Sequence, residues 1–292
     1  MPERGTAPAL LDELPESRAT GELRRIYGEI RHWSGVPMVA LIWRHLATIP
    51  GALEWSWRLV EPAMRAGAVQ QQAWDLARAA AIPRQPAIPA AALRAAGLAP
   101  ADERAIAAVL DAYNRANPVN ITAVRCLSLH LAGAAGPAAD ATSWPAWAPP
   151  PVHAPLPPMI DPAAMSPTVR ELAQLLTDRG PTACPSTLWP SLYRHLAHWP
   201  AFLGYATVVV APAFEAIDAA ASRLQQQVED AAGAIAGRLA PPRDLDAPAG
   251  EAARRVQAAI DQFSRRLPEM VVIGNVLRRA LPAADPTRRA TA

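Results

Sequence analysis

The chain has 292 residues, enough for one substantial domain or two ordinary ones with a buried core. Its 51% hydrophobic fraction is dominated by Ala and Leu, and only 3 Phe and 4 Tyr stand beside 9 Trp, which favours helix over strand. Net charge is +2 and all 28 basic residues are arginine, scattered among acids; this excludes a lysine Schiff base and a P-loop lysine, and argues against a nucleic-acid footprint.

The first periodic segment places Leu23, Ile26, Ile30 and Trp33 on one helical face. Prolines 37, 50, 62, 100 and 118 then predict a succession of short helices that pack rather than run on. Within this region "RHLATIPGAL" (44–53) anticipates "RHLAHWPAFL" (194–203), identical at six of ten positions and offset by 150. The offset recurs where "EPA" (61–63) faces "APA" (211–213), at Pro118 and Pro268, and at Leu131 and Leu281. The reading is two homologous helical units, residues 1–132 and 167–292, forming a pseudo-dimer that leaves room for a true homodimer.

Residues 133–166, rich in Pro and Ala, join the units as an extended strap, with Trp144 and Trp147 pinning it to the surface. After it, Ser166 caps a helix with Pro167 in its first position and with Leu172, Leu175 and Leu176 on one face. The apolar run "ATVVVAPAF" (206–214) contains a proline and is too short to span a bilayer, so it reads as buried helix. The expected fold is all-α, with five or six helices per unit. Two cysteines, Cys126 and Cys184, make no disulfide framework, and with no leader pattern the expected location is the cytoplasm. Cys126 reads as a small core residue, and Cys184 lacks the second cysteine of a redox pair.

Candidate chemistry concentrates around the repeated phrase. Ser191 and Leu41 are 150 apart, as are Asn117 and Leu267, and each pair sets a polar residue against an apolar one. One asymmetric site between similar halves would leave that trace. Ser191 also reads as an ordinary first-turn residue, and Asn117 as a helix C-cap before Pro118. Pro190 in the first helical position suggests that the amides near Ser191 and Leu192 hold a carboxylate. His195 follows Ser191 by four, but His45 holds the same place in the first unit and Arg44 and Arg194 repeat likewise, which reads as structure. His195 and His198 lack a third ligand at metal spacing, so no metal or other cofactor is expected. Glu54, Asp111 and Asp178 are the acids nearest the motifs.

The ordered motifs "IYGEIRHWSGVPMVALIWRHLATIPGALEWSW", "YNRANP" and "RGP…SLYRHLAHWP" resemble the group I 2-haloacid dehalogenases over about residues 20–280. The resemblance implies a helical pseudo-dimer in which an aspartate activates water to displace halide from carbon 2 of a small carboxylic acid. It implies substrate-binding positions at Met38, Leu41, Asn117, Ser191 and Leu192, with Asn117 positioning water or substrate. Leu192 stands where the family carries its catalytic aspartate, and Met38 and Leu41 stand where it carries aromatic rings. Ala66 and Gln70 fall on further polar positions. A non-catalytic small-carboxylate binder and a scaffold or interaction protein are the alternatives.

Overall fold

The computed structural model describes residues 11–136, 144–178 and 189–282, and among them there is no strand. Eleven α-helices follow: α1 (Gly21–Ser34), α2 (Leu41–Leu46), α3 (Ala52–Arg65), α4 (Ala68–Ala79), α5 (Ala90–Ala95), α6 (Pro100–Leu131), α7 (Pro167–Asp178), α8 (Ser191–Leu196), α9 (Pro200–Val210), α10 (Phe214–Ala236) and α11 (Gly250–Ala280). Helices α2 and α8 are 150 residues apart at both ends, and α6 and α11 begin 150 apart.

The long helices α6 and α11 pack against each other and α10 packs on both. Around this centre, α1 lies on α3, α7 on α9, α2 against α11 and α8 against α6. Two apolar cores result. One joins α1 to α4 with the later part of α6, the later part of α10 and the first part of α11; the other joins α7 to α9 with the first part of α6 and the last part of α11. Each core therefore draws on both sequence halves, so neither 1–132 nor 167–292 encloses a core of its own.

Local sequence explains most helix ends. Ser166 Oγ accepts from Val169 N–H at 3.4 Å, capping α7 as expected. Asp102 carboxylate accepts from Ala99 N–H at 2.8 Å and from Trp199 Nε1–H at 3.0 Å, so the cap of α6 also ties it to the start of α9. The prolines behave less uniformly. Pro62 and Pro118 do not end helices: they lie inside α3 and α6, and Pro268 lies inside α11. Each proline removes one backbone donor, but α6 and α11 are buried along these stretches and their packing outweighs that loss. Leu175 is 53% exposed and Val208 71% exposed, so neither the full leucine face of α7 nor the whole 206–214 run is buried. The helical run Pro200–Ala236 is long and apolar enough to cross a bilayer by composition; Pro212 sits in the 3-10 turn that splits it.

The strap crosses the molecule. Trp147 fits over Gly67 between Trp33 and Trp74, and the Arg238 guanidinium lies 3.9 Å above the Trp144 ring. Arg115 Nη1 donates to Gly35 O at 2.9 Å and Pro151 O at 3.0 Å. At its far end, Ile160 N–H donates to Arg194 O at 3.3 Å while Arg194 Nε donates to Ile160 O at 3.2 Å.

Candidate functional site

Where the two cores meet, α2, α6, α8, α11 and the strap enclose a cavity of about 50 Å³. A single water needs about 10–15 Å³ on this measure, so the space suits a ligand of a few heavy atoms. Fourteen of its wall residues form seven pairs separated by 150 positions in the sequence: Val39 and Trp189, Ala40 and Pro190, Leu41 and Ser191, Ile42 and Leu192, Tyr113 and Phe263, Ala116 and Arg266, Asn117 and Leu267. Met38, Arg44, Met159 and Met270 complete it. Met38, Leu41, Asn117, Ser191 and Leu192, singled out from the sequence, thus share one wall system.

Sequence polarity dictates the chemistry of the two sides. Helices α6 and α8 bring the neutral polar groups Tyr113, Asn117 and Ser191. Helices α2 and α11 bring hydrocarbon and two guanidinium groups, Arg44 and Arg266. Both arginines are 6% exposed, and their charges are partly balanced from behind. Arg266 Nη1 donates to Glu269 at 2.8 Å and its Nη2 to Thr177 O at 2.6 Å. Glu13, from the segment before α1, pairs with Arg44 at 2.8 Å and with Arg194 at 3.7 Å. Among the described residues, one carboxylate thus serves two buried arginines, of which Arg44 lines the cavity, so positive charge exceeds negative around it. Arg44 Nε and Arg266 Nε are buried and have no acceptor among the described residues.

No Asp or Glu lines the cavity among the described residues. Leu192 is 1% exposed and presents only carbon. Glu54 and Asp178 are not in the wall, and Asp111 lies outside it, bonded to Arg278 Nε at 2.7 Å. Residues 179–188, just ahead of Trp189 in the chain, contain no Asp, Glu or His. Cys184 falls in that segment, outside the described residues. Ala66 and Gln70 are also away from the cavity; Gln70 Nε2 donates to Trp33 O at 3.0 Å and Met64 O at 2.8 Å.

The nearest neutral base is one residue behind the wall. Tyr113 Oη lies 2.8 Å from His195 Nδ1 and is also hydrogen-bonded to Ser191. Tyr113 therefore stands between the serine and histidine that the i, i+4 spacing brings to one helix. Burial pushes its phenol well above its ordinary value and lowers the His195 imidazole to about 4. His198 turns elsewhere, with Nε2 2.7 Å from Pro158 O. Cys126 is buried in the core, its thiol pushed up to about 12 by burial.

Two expectations change. Asn117 is not a helix C-cap, because α6 continues through Pro118 and points this residue into the cavity wall. Helix α8 is only six residues long, too short for a substantial macrodipole, and the cationic groups at the cavity are arginine side chains instead. Sequence reasoning missed Tyr113, Arg266 and Arg44 as wall residues. The signal was present for the first two: Tyr113 with Phe263 and Arg266 with Ala116 show the same polar-against-apolar mismatch at offset 150.

No family model and no curated protein matches the chain. Solved structures share its fold. A D-2-haloacid dehalogenase mutant superimposes with a TM-score of 0.72 at 23% identity, covering 95% of this chain and 98% of the other. A complex of a D-2-haloacid dehalogenase mutant with D-2-CPA gives 0.69 at 21% identity, covering 94% and 98%. A complex of D-2-haloacid dehalogenase with L-LA gives 0.63 at 21% identity, covering 95% and 96%. The chain thus has a dehalogenase-like, all-α fold over almost its whole length.

Proposed function

We propose that the cavity holds a short carboxylic acid and that the chain no longer hydrolyses carbon–halogen bonds. The observation that carries this reading is Leu192, buried in the wall at the position where the motif resemblance expects the aspartate that activates water. Water at neutral pH is a poor nucleophile, and a positioned base contributes about 10²–10⁴-fold to such a reaction. The described wall offers no carboxylate to replace it.

Anion binding has separate support. A buried excess positive charge is costly alone and is relieved by a monoanion at close range. The apolar remainder, with Met38, Met159 and Trp189, suits a short aliphatic body. D-2-CPA and L-LA, bound in structures of the same fold, make a small 2-substituted acid the expected ligand type.

Halide release from both enantiomers of 2-chloropropionate tests the reading. The chain as it stands should release none above the uncatalysed rate, and Leu192→Asp should release it measurably. Turnover by the unaltered chain would overturn the proposal.

A further inference from the structure

We infer that a second hollow, a groove between α6, α10 and α11, binds a free amino acid as its zwitterion, the carboxylate toward Arg125 and Arg265 and the ammonium toward Glu229 and Asp261. The groove has a volume of about 220 Å³ and shares no lining residue with the cavity between the two cores. A water needs about 10–15 Å³ on this measure, so an amino acid with a short side chain fits. Helical spacing builds the groove. Arg125 and Ser128 stand one turn apart on α6, Gln225 and Glu229 on α10, and Asp261 and Arg265 on α11, so each helix turns a polar face to the same hollow. Ile121 and Val228, 3% and 2% exposed, supply its apolar part.

The two arginines and two acids of the groove sum to zero charge, and among the described residues none of them makes an ion pair. Glu229 accepts from Gln225 Nε2 at 3.2 Å and Asp261 from Gln257 Nε2 at 2.8 Å, while Arg125 Nη1 donates to Ser128 Oγ at 3.4 Å. The positions 150 residues earlier or later are engaged differently. Asp111, the counterpart of Asp261, is bonded to Arg278 Nε at 2.7 Å, and Arg115, the counterpart of Arg265, donates to Gly35 O and Pro151 O. Ser128 stands in the place of Arg278, which leaves room in the groove and no guanidinium bonded to Asp261. A simple anion meets the arginines and is repelled by the acids, and a simple cation meets the reverse; a molecule carrying both charges satisfies both pairs at once.

L-Alanine, propionate and ethylammonium, alike in size, test this when each is titrated into the full chain and the Ile121 and Val228 methyl resonances are followed, which reports the groove apart from the first cavity. L-Alanine should bind about three- to tenfold more tightly than either singly charged compound, the effect of one or two exposed charge pairs. Asp261→Asn combined with Glu229→Gln should bring the alanine-to-propionate affinity ratio close to one, and Arg265→Gln should lower the alanine-to-ethylammonium ratio by about two- to fivefold. Ser128→Arg, which installs the residue found at position 278, should fill the groove and remove the binding. A thermal melt accompanies that variant, and if it does not fold the Asp261 and Glu229 double variant decides. Equal affinity for the three compounds, or no methyl shift with any of them, overturns the inference. A preference for alanine that survives the loss of both acids overturns the place given to the ammonium.

Discussion

His195 illustrates how much one buried side chain contributes to the behaviour of the site. It is 3% exposed, and burial holds its imidazole at about 4 against an ordinary 6.5, opposed by hydrogen bonds to the Pro157 and Ser191 carbonyls. Between these values the unfolded chain takes up a proton that the folded chain refuses. Stability from this group is therefore complete above pH 6.5 and falls as the pH drops toward 4, by up to about 3 kcal/mol. Half-buried His130 and His153 are lowered by burial too and act in the same direction. Urea midpoints at pH 7 and 4.5 should show the loss, and His195→Gln should flatten it; an unchanged slope would mean that His195 does not carry the effect. At this scale the sequence was informative where polarity differed between positions 150 apart, as at Ser191 and Asn117. It was silent on Arg44, because Arg194 matches it in kind and only the fold shows that Arg44 alone of the two reaches the cavity.

Helix order was legible because apolar spacing and caps are local, while proline behaviour was not. Pro62 and Pro118 carry the same local signal as Pro37 and Pro50, yet they sit inside helices whose buried faces extend on both sides of them. Tertiary packing, which no short window contains, decides between a break and a tolerated defect. The strap shows the opposite balance: its prolines rule out helix, but the slot that receives Trp147 comes from distant elements. Gly67 has φ +71°, and a Cβ there would lie 2.3 Å from the Trp147 ring. Gly67→Ala should combine left-handed backbone strain, about 1 kcal/mol, with loss of the contacts to Trp33 and Trp74, about 0.5–1.5 kcal/mol each. A lowered Tm is expected, and because both changes empty the same slot, Gly67→Ala should add little beyond its backbone strain when Trp147→Ala is already present. Full additivity of the two variants would show that the glycine acts elsewhere.

The whole molecule is tied together at the level of its cores, each of which draws on both halves of the chain. The core around α1 to α4 takes Leu224, Val228 and Ile235 from α10 and Ile260 and Phe263 from α11, while the other takes Ile106, Val109 and Leu110 from α6. Residues 1–132 alone would expose both sets of contacts. Pairing with a second copy of themselves is the arrangement to test, since α6 and α11 begin 150 residues apart. Gly274 on α11 argues against it. A Cβ at that position would lie 2.3 Å from Asn114 Oδ1 on α6, and the residue 150 positions earlier is Val124. Two copies of α6 packed as α6 packs on α11 would force each valine into an asparagine amide. The 1–132 fragment is therefore expected to be monomeric, with no cooperative thermal transition and little near-ultraviolet tryptophan dichroism, and to gain both only when co-expressed with 133–292. Sedimentation and dichroism of the fragment alone check this, and a folded dimer melting sharply would show that residues 1–132 can cover their own apolar faces by self-association.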